Sequence, residues 1–238
     1  MPERNETIQQ TIKQGMSAAW PICLGYFPIG MALGVLAQQA GLAPLWIGLM
    51  SVLVFAGSAQ FIGVAMIDGG ASAAAIILTT FVVNFRHFLM SSALAVPLKG
   101  VRRLFLLLFA YGITDESFGV NMTRFREGGW DKWRALVVHH AANTTWIVAT
   151  MLGGLAGTLI PEGAFGIDYA LPAMFIALLV LQLRGRAYIF TGALAALIAI
   201  AWKLLVPGDS YIVAAAVIAA TGGFLVRRHL RNKREAAA

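Results

Sequence analysis

Apolar residues along this 238-residue chain fall in long runs rather than short amphipathic periods. The runs cover about Met16–Ala37, Leu45–Ile67, Ala71–Val96, Leu104–Gly112, Leu136–Ile160, Tyr169–Leu183, Ala187–Val206 and Tyr211–Val226. A helix rises about 1.5 Å per residue, and the hydrocarbon core of a bilayer is roughly 30 Å thick. The pattern therefore predicts an all-α polytopic membrane protein, one transmembrane domain over residues 1–238. The fourth run is too short to cross and leads into Thr114, Asp115 and Glu116. It reads as a half-helix or re-entrant segment, leaving about seven transmembrane helices, with eight spans as the alternative.

Composition agrees, with 59% hydrophobic and 12% charged residues. A net charge of +7 and a pI near 10.0 would suit nucleic acid, but the basic residues sit in short clusters at the ends of apolar runs, where they set orientation in a bilayer. Nucleic acid is therefore not an expected partner. The single cysteine, Cys23, rules out an intrachain disulfide and reads as a packing residue. Met1–Gln14 is polar and mixed in charge, unlike a cleavable signal, so the first run is expected to stay as a span.

Lys99, Arg102 and Arg103 precede the short segment, and Arg124, Arg126, Lys132 and Arg134 follow it. If the segment enters and returns, both clusters face the cytoplasm, and so by alternation do Arg184, Arg186 and the basic tail from Arg227 to Arg234. The outer loops then carry Asp68, Glu162, Asp168 and Asp209. This scheme puts the N-terminus outside and the C-terminus inside. It also gives the spans before and after the segment opposite orientations, so residues 16–96 and 136–206 are read as an inverted repeat, a layout common in transporters. A weak echo of Phe55–Val64 in Tyr169–Leu178 points the same way.

The third run holds Asn84, Arg86 and His87 near mid-membrane. A cation at that depth costs about 2.5–3.5 kcal/mol or more, so Arg86 must meet protein or water and have a partner. On a regular helix Thr80, Asn84, His87 and Ser91 share a face, while Arg86 points about 100° away from His87. Either the helix is distorted near Asn84, or Arg86 braces the structure while the Asn84/His87 face lines a cavity. Asp115 and Glu116 are the candidate partners of Arg86, in an ion pair or beside an anionic ligand that Arg86 holds. His87 is either a satisfied core histidine or a proton-coupling group. Gln60 either joins helices or binds substrate. His139 and His140 follow Arg134, where imidazoles can sit at the membrane interface, and as neighbours they lack the i, i+4 spacing of paired metal ligands. Asn143, Thr144 and Thr145 can add donors to a cavity. Pro21, Pro28 and Pro172 can free backbone carbonyls, and Lys203 is expected to snorkel. No metal or cofactor is expected.

Five motifs in order carry a resemblance: GYFPIGMALG at Gly25–Gly34, FAGSAQF at Phe55–Phe61, NFRHFLMS at Asn84–Ser91, YGITDESF at Tyr111–Phe118 and LPAMF at Leu171–Phe175. Together they resemble the AzlC family, the large subunit of bacterial branched-chain amino-acid exporters. The resemblance implies a multi-pass inner-membrane secondary transporter, not an enzyme, that exports hydrophobic amino acids beside a small AzlD-type membrane subunit. Asn84 stands where some members of the family carry Asp, which removes one potential proton carrier.

On this basis Arg86 or a freed helix N-terminus is the expected carboxylate site, and Gln60 and Asn84 add hydrogen bonds to the substrate. Asp115 or Glu116 faces the substrate ammonium or exchanges a proton, with His87 as a further proton-coupling candidate. Two rival readings are a channel or structural subunit whose pathway lies in a partner, and an intramembrane serine hydrolase using Ser58 with His87 or His139.

Overall fold

The computed structural model describes residues 8–161, 186–206 and 210–235, with isolated positions between 166 and 180. Glu162, Asp168, Arg184, Asp209 and most of the sixth run, including most of the Phe55–Val64 echo and of the LPAMF motif, lie outside the described residues. Nine α-helices appear among the described residues: α1 (Ile8–Gln39), α2 (Pro44–Leu53), α3 (Gly57–Asp68), α4 (Ala73–Leu94), α5 (Arg103–Tyr111), α6 (Asp115–Glu127), α7 (Lys132–Ala156), α8 (Arg186–Leu205) and α9 (Tyr211–Glu235). Three are long and apolar enough to cross a membrane on that basis alone: α1, α4, and α8 over Tyr188–Leu205. The chain forms two compact units, Met1–Ser72 with Val83–Ala170 and Ala73–Val82 with Leu171–Ala238.

The spine of the first unit is α1 packed along α7. The two run in the same direction, since Gly15 lies against Val137 and the Arg134 carbonyl, Gly30 against Ala149, and Gly157 against Gln38. Gly30 and Gly34 in α1 and Gly153 and Gly157 in and just after α7 are spaced by four, the small-residue pattern that lets helix backbones approach closely in a membrane. A methyl group on Gly34 would fall on the Thr150 carbonyl, and one on Gly153 on the Met31 carbonyl. α1 is continuous through Pro21 and Pro28. α7 begins at Asp131, whose carboxylate accepts from the Trp133 and Arg134 amides at 2.6 and 3.1 Å and pairs with the Arg134 guanidinium at 2.8 Å.

The short fourth run enters and returns. Phe105 of α5 packs edge-on to Trp133 in the first turn of α7 (5.1 Å), Phe109 on His139 (4.5 Å), and Tyr111 accepts from Asn143 (3.3 Å). After the break at Gly112–Thr114 the chain comes back: Ser117 meets His139, Asn121 reaches the Ala135 carbonyl, and Trp130 reaches Asn121. Both basic clusters therefore lie at one end of α7, as a re-entrant segment requires. Met90, Leu94, Leu98, Phe109, Ile113 and Ala135 form the apolar cluster around this hairpin.

The second run was expected as one span, Leu45–Ile67, and is instead two helices broken at Val54–Ala56. Its first half follows α7 inward from the far end, with Ile47 at Gly154, Gly48 at Met151 and Ser51 at Thr150. α3 then folds back, because Gln60 donates to Ser51 at 3.0 Å. Nine residues of straight helix would separate these two by about 13.5 Å, beyond their combined reach. Nothing in the apolar composition of the run marks the bend. Its visible cue is Gly57, which weakens a helix beside the break.

This second hairpin changes the parity of the chain. The N-terminal end of α1 lies at the same end as Lys99–Arg103 and Arg124–Arg134, and together with Lys13 this is the end that the charge rule assigns to the cytoplasm. By that rule the N-terminus falls on the cytoplasmic side, where the one-hairpin scheme had it outside; α1 and α7 run parallel, while the repeat read over 16–96 and 136–206, part of which lies outside the described residues, has them opposed. A different inversion is visible: a hairpin followed by a helix occurs twice, α2–α3 before α4 and α5–α6 before α7. From Arg86 to Leu94, α4 runs toward the start of α7, so the two helices oppose each other.

In the second unit α8 and α9 are antiparallel, with Thr191 against Gly223 and the Arg227 guanidinium donating to Tyr188 at 3.2 Å. Lys203 lies over the Tyr211 ring at 5.0 Å, its charge at the helix end as snorkelling requires.

Because Gly153 touches backbone rather than a movable side chain, Gly153→Leu should force α1 and α7 apart and destabilise the protein by about 2–3 kcal/mol or more. The check is a thermal melt of the detergent-solubilised protein. A melting temperature equal to that of the parent would contradict the packing.

Candidate functional site

The two hairpins enter from opposite ends and meet near the middle of α7, between Asn143 and Trp146. Both breaks exist because helix geometry stops there and each following helix starts anew. α6 has a complete capping box: Ser117 N donates to Thr114 Oγ1, and Thr114 N donates to Ser117 Oγ at 2.9 Å. It also has Asp115 and Glu116 in its first turn, where negative charge suits the helix dipole. α3 starts differently, at Ala56, with no side-chain cap. Its first amides are left as a buried, positively polarised end.

Arg86 of α4 joins the two tips. Its guanidinium pairs with Asp115 at 2.6 Å and donates to Ser58 in the first turn of α3. The Arg86 and Asp115 side chains are 29% and 33% exposed, so the pair is not sealed by the rest of the chain. α4 is a continuous helix, which settles the choice posed by the sequence: Arg86 braces the tips while Asn84 and His87 lie on a different face. Two buried atoms on this stretch have no partner, Asn84 Oδ1 and Arg86 Nε. Arg86 Nε belongs to the charged pair itself, and an unpartnered donor there is what an acceptor group of a polar ligand would satisfy.

The other candidates are placed as follows. Glu116 accepts from Tyr26 of α1 at 2.5 Å, so Asp115 and Glu116 serve different neighbours. His87 Nδ1 lies 3.2 Å from the Asn84 carbonyl, on its own helix. Gln60 is fully buried, with its carbonyl oxygen accepting from Trp146 at 2.8 Å and its amide on Ser51, which also accepts from Thr150 at 2.8 Å. That set joins α2, α3 and α7. Neither histidine proposed for a hydrolase meets Ser58, whose hydroxyl is taken by Arg86.

His139 was expected at the membrane interface and is completely buried, because the returning hairpin covers it. Its hydrogen bonds define its tautomer. The Trp130 indole can only donate, so it holds Asn121 Oδ1 (3.0 Å), and the Asn121 amide nitrogen then faces the Ala135 carbonyl and His139 Nε2, both at 3.3 Å. Nε2 must accept, so Nδ1 carries the proton and donates to Ser117 at 3.0 Å. His139 thus fixes the cap of α6, and through it the first turn that bears Asp115. Sequence reasoning missed Tyr26, Tyr111, Ser117 and Asn121 as members of this set, since Tyr26 meets partners 88 and 90 residues away.

The AzlC protein family model matches residues 21–160, which contain α2 to α7, both hairpin tips and most of α1. The chain belongs to the AzlC family. It is 26% identical over 216 residues to the branched-chain amino acid transport protein AzlC of Bacillus subtilis (strain 168), covering 90% of this chain and 84% of that one. It is 26% identical over 183 residues to the inner membrane protein YgaZ of Escherichia coli (strain K12), covering 74% and 75%. It is 30% identical over 208 residues to an uncharacterized membrane protein of Archaeoglobus fulgidus, covering 86% and 90%. No solved structure matches. Membership makes this a membrane protein on comparison as well as on composition, and the region matched carries four of the five motifs read from the sequence.

Asn121→Ala would strand the Trp130 indole and His139 Nε2 in the interior. Each unpaired buried group costs about 1–3 kcal/mol, so a loss of about 2 kcal/mol or more is expected. Urea or thermal unfolding in detergent measures it, and a change below about 0.5 kcal/mol would mean the network does not hold the hairpin.

Proposed function

We propose that this protein is a secondary transporter that exports branched-chain or other hydrophobic amino acids across the bacterial inner membrane. The observation that carries the reading is the partly exposed Arg86–Asp115 pair at mid-membrane, lying against the uncapped start of α3. An amino acid is a zwitterion, and it replaces an internal ion pair charge for charge. Its carboxylate moves onto Arg86 Nε and the first amides of α3, where positive charge has no carboxylate of its own. Its ammonium takes Asp115. Exchange of one pair for another avoids leaving either charge alone in a low-dielectric site. Family membership and the name of the Bacillus relative, a branched-chain amino acid transport protein, support the same substrate class.

Export direction, coupling to protons through Asp115, Glu116 or His87, and a small AzlD-type partner subunit complete the proposal. Broken helices around a mid-membrane site are the usual construction of secondary transporters, which favours a carrier over a channel or an enzyme.

The test is efflux of labelled leucine from preloaded cells expressing the chain with and without the small partner. Arg86→Ala should abolish efflux at equal membrane abundance, and Arg86→Lys, which keeps the charge but loses the planar fork, should retain only a minor fraction. Wild-type efflux from Arg86→Ala would remove the carboxylate role, and flux that neither saturates nor responds to a proton gradient would replace the carrier with a channel.

A further inference from the structure

Where the hairpins meet, three aromatic rings stand side by side. Phe55, at the tip of the first hairpin and only 6% exposed, is wedged between Tyr26 of α1 (6.3 Å between centroids, 76°) and Tyr111 at the end of α5 (6.5 Å, 43°). Each tyrosine bonds to a hairpin, Tyr26 from α1 and Tyr111 from the other hairpin. Tyr26 reaches Thr114 at 2.8 Å and Glu116 at 2.5 Å in the second hairpin, while Tyr111 donates to the Val52 carbonyl of the first at 2.5 Å. The Val52 carbonyl is free to accept because the chain leaves the helix there: the Ala56 amide, its helical partner, turns to the Val54 carbonyl instead.

The two bonds differ in strength of setting. Tyr26 is 8% exposed, makes two hydrogen bonds and packs edge-on to Trp146 at 5.2 Å. Tyr111 is 38% exposed and ties the hairpins by one bond, with the Asn143 amide behind it. Tyr111 is partly exposed and held by this one bond to the first hairpin, whereas removing Tyr26 would strand buried groups.

We infer that Tyr26, Phe55 and Tyr111 are the gate of this protein, with Tyr26 as the fixed post, Phe55 as the wedge and the Tyr111–Val52 bond as the latch. The inference rests on the transporter reading, and it adds how the site opens. Two ties hold the tips together, the Arg86 bridge from Ser58 to Asp115 and the Tyr111 latch. A ligand that draws Asp115 away from Arg86 releases the first and leaves only the latch. Opening is then coupled to ligand because neither tie alone keeps the tips closed for long.

The experiment needs no substrate. In a Cys23→Ser background, where the only native thiol is gone, Ala56→Cys serves as a reporter in the first tip, where Ala56 is 5% exposed. Its labelling by a membrane-impermeant maleimide is timed in intact cells and in inverted vesicles. Adding Tyr111→Phe, which removes a hydroxyl and keeps the ring, should raise the labelling rate about three- to tenfold from the side that the closed gate shields, the range expected for loss of one exposed hydrogen bond. Phe55→Ala should give fast labelling from both sides. Where Phe55→Ala fails to reach the membrane, Tyr111→Phe decides alone. An unchanged rate in Tyr111→Phe at equal abundance overturns the latch. Since no amino acid is added, a failed leucine efflux assay leaves this result standing, and an unchanged labelling rate leaves the substrate reading standing.

Discussion

A guanidinium halfway across a bilayer has to be met by protein, and most of the first unit can be understood as the means of meeting Arg86. Its charge is not balanced within α4, which has no acidic residue. It is satisfied instead by two chain reversals that bring a carboxylate and a hydroxyl to it from opposite ends. Each reversal in turn exposes backbone groups within the membrane, which only internal partners can meet. Thr114 and Ser117 meet them at α6, Tyr111 meets the Val52 carbonyl at α2, and the start of α3 stays open. The positive end of α3 and the free edge of Arg86 therefore share a neighbourhood with one carboxylate pair already balanced. Such an imbalance favours an anionic group that also brings its own positive charge.

Rigidity is distributed unevenly around that point. The α1–α7 spine is closed by backbone contacts at Gly34 and Gly153, and His139 is held in one tautomer by partners that allow no other. The hairpin tips, by contrast, are joined by a partly exposed ion pair and an exposed tyrosine hydroxyl. Packed helices resist small displacements, so the inferred gate would work by movement of the tips against the α1–α7 spine.

Much of this was legible in the chain, but not all by the same route. The membrane class, the re-entrant fourth run and the need to pair Arg86 follow from hydropathy, segment length and the cost of buried charge, and all three recur in the structure. The bend at Val54–Ala56 did not show, because an apolar run that folds back has the same composition as one that crosses. Missing it reversed the side of the N-terminus, since each reversal changes parity. Gln60 read equally well as ligand or helix joint, and only the positions of Trp146 and Ser51 show its hydrogen bonds committed to neighbouring helices. Tyr26 and Tyr111 lay within motifs whose order carried the family resemblance, yet no local spacing distinguishes a tyrosine that bonds across 59 or 90 residues from one that packs.

The corrected parity also changes what the charges mean. With one hairpin the basic clusters needed the segment to return if they were to share a side. With two hairpins they share that side together with the start of α1, and each hairpin is followed by a helix running opposite to the other. The site then lies where two similar constructions of opposite orientation touch, so that its surroundings are nearly equivalent as seen from either end. In the proposed carrier, near equivalence would let one set of contacts be opened toward either side at similar cost, and the difference between the two tips, a capped α6 and an uncapped α3, would keep the ligand's orientation defined while the access changes.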